Sequence, residues 1–104
     1  MLDARQQLLD QALNISRRML ELGDDEQWDQ VIELEAQRRL VLERAFATRD
    51  PVNESLAQRV REILDLDKSL MAMSLKVRDE VAAELGHFNR SRKASNAYRA
   101  SSLR

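Results

Sequence analysis

Residues 54–85 read ESLAQRVREILDLDKSLMAMSLKVRDEVAAEL, with neither glycine nor proline among them. Leu56, Val60, Ile63, Leu70, Val77, Val81 and Leu85 recur at intervals of three, four or seven residues, and the polar Asp67 and Ser74 fill the gaps in the line. That spacing keeps one face of a helix continuously apolar. It predicts a single uninterrupted helix beginning at Glu54. Gly86 is the first residue able to end it, and a helix passing through Gly86 reaches Phe88, so the segment is assigned to residues 54–88.

Before this segment, Thr48-Arg49-Asp50-Pro51-Val52-Asn53 is a break. Pro51 lacks an amide proton and disfavours helical geometry at Asp50, while Asn53 suits the cap of the helix that follows. Upstream, residues 25–47 predict a second helix whose apolar face is Trp28, Val31, Ile32, Leu42, Ala45 and Phe46. Glu35 and Arg39 fall on the continuation of the Trp28–Ile32 line, four residues apart, where they can pair as an ion pair at the bundle edge. Asp24 reads as its N-cap, with Gln27 three residues on completing a capping-box variant. Gly23 reads as the left-handed terminator of a first helix over residues 2–22. The face of that first helix is Leu8, Ala12, Ile15, Met19 and Leu22, widened by Leu9, Leu13 and Leu20. Trp28 reads as the core anchor of the first hairpin, and Met73 as a residue at a groove edge.

The composition agrees. In 104 residues there are two glycines and one proline, too few turn residues for a β-sandwich or barrel. Without cysteine, disulfide frameworks and thiolate metal or redox sites are excluded. No apolar run reaches the ~18 residues of a membrane span, and the N-terminal stretch lacks the apolar core of a secretory signal. A cytosolic protein without membrane insertion is expected. Both interhelical connections are short, which favours antiparallel neighbours. The expected fold is therefore all-α: an antiparallel three-helix bundle over residues 1–88, with a long third helix, followed by a basic, flexible or short-helical tail over residues 89–104. Charge separates the two parts. Residues 1–84 hold 12 Lys/Arg and all 18 Asp/Glu, a formal −6, whereas Arg90, Arg92, Lys93, Arg99 and Arg104 give the rest +5.

At 1.5 Å per residue the third helix outreaches helices of the predicted first and second lengths. Past about Lys76 it still carries Val77, Val81, Leu85 and Phe88 on one side. Burying each such side chain is worth roughly 1.5–3 kcal/mol, so the row is expected to be covered by the tail, by a second subunit or by a client segment. A longer or shifted first helix is the alternative.

Candidates for catalysis are lacking. The single histidine, His87, has Glu84 as its nearest acid, and one Glu-x-x-His element builds no metal site by itself. Two isolated glycines make no phosphate loop, and the serines of the tail have no histidine to activate them. A non-enzymatic protein without cofactor or metal is expected. The basic tail and Tyr98 invite a nucleic-acid reading, but the acidic body offers no basic face to continue it. No nucleic-acid partner is expected.

Three stretches carry a family resemblance: Gln27-Trp28-Asp29 with Val31-Ile32 and Leu34-Glu35; Ile63-Leu64-Asp65 through Leu70 with Arg78-Asp79-Glu80-Val81; and Lys93-Ala94-Ser95-Asn96-Ala97-Tyr98. With helix order and length, they make the chain resemble the flagellar export chaperones of the FliT type. The resemblance implies binding of the C-terminal region of the filament-capping protein, protection from premature assembly, and delivery to the type III export apparatus. It also implies contacts with the export ATPase and the export gate, the latter through the tail tyrosine, here Tyr98. Binding of a flagellar transcription activator is an alternative role in the family. The client contacts expected on the helical row are Leu70, Met73, Val77, Val81, Leu85 and Phe88, with an amphipathic client helix laid along them. A homodimer over the same row is an alternative cover.

Overall fold

The computed structural model describes the backbone of residues 4–102 and the side chains of residues 4–96. Among the described residues there are three helices and no strand: α1, Ala4–Asp24; α2, Trp28–Ala45; and α3, Glu54–Ser102.

Contacts divide the chain into two compact units, one ending at Met73 and one starting at Ser74. The core lies in the first. Leu9, Ala12 and Leu13 of α1, Val41 and Ala45 of α2, and Leu56 and Ile63 of α3 form one buried cluster, with Leu8, Ile15, Leu42, Val60 and Leu66 packed against it. A second cluster joins Met19 and Leu22 to Val31, backed by Ile15, Trp28, Leu34 and Leu70. The early turns of α1 thus share a core with the last turns of α2 and the first of α3. Its late turns meet the start of α2 and Leu70. The α1 face is the predicted one rotated slightly, with Leu9, Leu13 and Ser16 buried and Leu8, Ile15 and Leu20 half-buried at its margin.

The turn between α1 and α2 differs from expectation. No glycine has a positive φ, and Glu26 takes the left-handed conformation instead, at φ 60°. The Gln27 amide donates to Leu22 O at 2.8 Å and the Glu26 amide to Gly23 O at 3.0 Å. This pair of bonds is the Schellman closure, with Glu26 in the position usually held by glycine. Gly23 stays inside α1 for a packing reason. A Cβ there would lie 3.2 Å from Leu70 Cδ1 and 3.3 Å from Trp28 Cη2. Asp24 accordingly ends α1 rather than capping α2, and Gln27 occupies that cap with no side-chain hydrogen bond. A side chain with a Cβ held at φ 60° is strained where glycine is not. Glu26→Gly is therefore expected to raise the unfolding free energy by about 0.5–1 kcal/mol, measurable by urea denaturation.

The second break agrees with the sequence. The connection 46–53 contains Pro51, and the Leu56 amide donates to Asn53 Oδ1 at 2.9 Å, the expected cap. Arg5 donates from α1 to Asp50 O at 3.1 Å and Pro51 O at 3.3 Å, tying down the connection.

α2 presents a different face from the predicted one. Val31, Arg38, Val41 and Ala45 are buried, Trp28, Leu34 and Leu42 half-buried, and Ile32 and Phe46 exposed. The inward line runs through Arg38, one residue before the position read as its continuation. Arg39 lies outside and donates to Glu35 Oε2 at 2.5 Å, the pair expected at the edge.

The end of α3 is a second correction. The helix runs on to Ser102 instead of giving way to a tail at residue 89. Gly86 keeps helical backbone with nothing within 4 Å of where a Cβ would stand. One interior glycine costs only about 1 kcal/mol. Beyond it come Arg, Lys and Ala residues and no proline, and extending a formed helix is far easier than nucleating one.

Candidate functional site

The six side chains predicted to meet a client fall into two groups. Leu70 and Met73 belong to the first unit, both half-buried, and Leu70 packs on the Met19–Leu22–Val31 cluster. Val77, Val81, Leu85 and Phe88 belong to the second. Val77 is half-buried, while Val81 is 48%, Leu85 57% and Phe88 62% exposed. At 100° per residue these four lie within one narrow sector of α3. Glu80 and Glu84 flank the sector on one side and Arg78 on the other, all exposed. Val81, Leu85 and Phe88 thus form an apolar row open to solvent.

Tyr98 lies within the helical span of α3, and its side chain is outside the described residues.

One polar constellation was not anticipated. Arg38, 9% exposed, donates to Ser16 Oγ at 3.0 Å and to Asp67 Oδ1 at 2.5 Å, while Ser16 donates to Ala12 O at 2.9 Å. All three helices contribute, within the first unit. Asp67, the carboxylate in the apolar line of α3, has its reason here. It faces the guanidinium that α2 sends inward. Of the three, only Asp67 stands out in the sequence, as a carboxylate within the apolar line of α3.

The grooves between α1 and α3 are lined by Asp10, Leu13, Gln58, Arg59 and Glu62, and by Leu13, Arg17, Glu62, Asp65 and Leu66. Two ion pairs lie along them: Arg59 with Asp10 at 2.5 Å and Arg17 with Glu62 at 3.8 Å. His87 is exposed, and no group of three His, Cys, Asp or Glu among the described residues could hold a metal ion. No helix among the described residues is long and apolar enough to cross a membrane.

The sequence model of the family described as Flagellar protein FliT matches residues 6–100. The chain belongs to the FliT family. No curated protein and no solved structure matches it. The match spans all three helices, including the turn with Gln27 and Trp28, the apolar row of α3 and the Asn96-Ala97-Tyr98 element. Membership in the FliT family implies a role as a flagellar export chaperone.

Proposed function

We propose that this chain is a cytosolic chaperone of flagellar type III export that binds the C-terminal region of the filament-capping protein, keeps it unassembled and delivers it to the export apparatus. The observation that carries the reading is the exposed row Val81, Leu85, Phe88 in a member of the FliT family. Leu70, Met73, Val77, Val81, Leu85 and Phe88 are the client contacts. They receive an amphipathic client helix through its apolar face, in a helix-in-groove mode. The bundle that presents them is antiparallel, in keeping with its short connections. Its functional boundary falls near residue 88, with residues 89–104 serving the export machinery rather than the client. Tyr98, an apolar ring with a polar tip, is the anchor for the export gate, and the export ATPase is a further partner. A regulator that binds a flagellar transcription activator through the same row is the second reading, favoured by the same exposed side chains. Pairing of two copies over the row is the resting state open to either.

Titrating the cap protein's C-terminal region into the purified full chain, and separately the gate's cytoplasmic domain, tests the division of labour. Tyr98→Ala is expected to leave the first affinity within about twofold and to lower the second by about tenfold or more, the scale of losing an aromatic anchor. Equal losses in both titrations, or no complex with the cap segment, contradict it.

A further inference from the structure

A second surface lies on α2, within the first unit and sharing no residue with the proposed client contacts. Ile32 is 67% and Leu40 59% exposed. Ala36 between them is exposed too, so the three follow each other at intervals of four along α2. Counting 100° per residue, they centre about half a turn from Val31, Arg38, Val41 and Ala45, the residues that α2 buries. The bundle therefore explains nothing about them. They point away from the core that the other helices complete.

Carboxylates predominate around this strip. Asp29, Glu33 and Glu43 are exposed along it, and Asp24, Asp25 and Glu26 are exposed just before the helix begins. Of the three basic residues in α2, Arg38 is buried on Asp67 and Arg39 is held by Glu35. Arg44 alone stands beyond Leu40, one turn on. An apolar strip edged by carboxylates complements a helix with an apolar face and lysine or arginine at its margins. It disfavours a second copy of the chain. An isologous pairing would set the same carboxylates against one another.

We propose that the outward face of α2, centred on Ile32, Ala36 and Leu40 and edged by Asp29, Glu33 and Glu43, is a docking surface for a basic amphipathic helix of a partner protein. Apolar contact holds the partner and the carboxylates select its charge. The surface shares no residue with the α3 row.

Two synthetic peptides of about 18 residues, long enough to form about five helical turns, provide the probe. Both carry leucine on one face; one carries lysine on the other and its control carries glutamate. Titrated into isotopically labelled full chain, the leucine–lysine peptide is expected to shift the amides of residues 29–43. Its affinity is expected to fall at least about tenfold in Ile32→Ser/Leu40→Ser, the lower bound for losing two aliphatic contacts. Glu33→Lys/Glu43→Lys should weaken it further and reduce its salt dependence. Both pairs are exposed, so circular dichroism should show the fold unchanged. The proposal is overturned if the glutamate peptide binds equally, if shifts centre on α3, or if Ile32→Ser/Leu40→Ser changes nothing. It is also overturned if residues 29–43 shift with protein concentration alone, which would make the occupant a second copy.

Discussion

Asp67→Ala is expected to lower the unfolding free energy by about 2–3 kcal/mol, more than a carboxylate on a helix surface would. The reason is what the substitution leaves behind. Arg38 remains buried, its guanidinium retaining Ser16 Oγ at 3.0 Å but losing the carboxylate at 2.5 Å. Breaking a fully buried pair costs about 3–5 kcal/mol. Asp67 keeps 36% of its side chain accessible, so water partly replaces it and the expected value falls below that range. In a domain of this size each kcal/mol moves the melting temperature by roughly 4–8 °C. Arg38→Met/Asp67→Leu should behave oppositely, unfolding within about 1 kcal/mol of the parent or above it, because apolar residues fill the same space without desolvating charge. Urea unfolding of the two variants decides the matter. Equal destabilisation in both would show that side-chain volume, and not the stranded guanidinium, sets the loss. The pair also fixes how α3 lies on its neighbours. Moving α3 by one heptad would set Val60 or Ser74 opposite Arg38, and neither offers a carboxylate. The double variant is thus expected to keep its stability while losing sharp dispersion of its amide resonances.

Much of this architecture could be read from residues alone, and the failures share a cause. The start of α3 was legible because its signals are local: Pro51 forbids the helix, Asn53 caps it, and the interval pattern from Leu56 onward needs no partner to be seen. The turn at Gly23 was not, because the constraint there is tertiary. Glycine is present to admit Trp28 and Leu70, and the left-handed residue is Glu26, which no preference table nominates. The face of α2 was displaced for a related reason. Ile32, Leu40 and Phe46 are apolar and exposed while Arg38 is charged and buried, so hydrophobicity alone picks the wrong side. Arg38 becomes intelligible only once Ser16 and Asp67 are seen to converge on it. The far end of α3 was missed because composition rich in serine and arginine suggests a tail. Helix continuation, though, depends on the absence of a stop, and neither proline nor a left-handed glycine supplies one. For the row itself, the spacing of Val77, Val81, Leu85 and Phe88 was visible at once. That the last three stand exposed is a property of the packing.

The second large effect concerns that row. Val81→Asp/Leu85→Asp is expected to weaken binding of the cap protein's C-terminal region at least about a hundredfold, equivalent to roughly 2.7 kcal/mol. Two aliphatic contacts of about 1.5–3 kcal/mol each are lost, and a client's apolar face would have to cover two carboxylates, which it cannot pair. Because both positions are exposed in the free chain, stability should change by no more than about 0.5 kcal/mol. Loss of affinity without loss of fold separates a docking surface from a structural one. The deciding measurement is calorimetric titration of the cap segment into the parent chain and into this double variant, with thermal unfolding of both recorded alongside. A parent complex that disappears in a variant melting at the parent temperature is the predicted result. Undiminished affinity in the variant would contradict the assignment of the α3 row as the client platform.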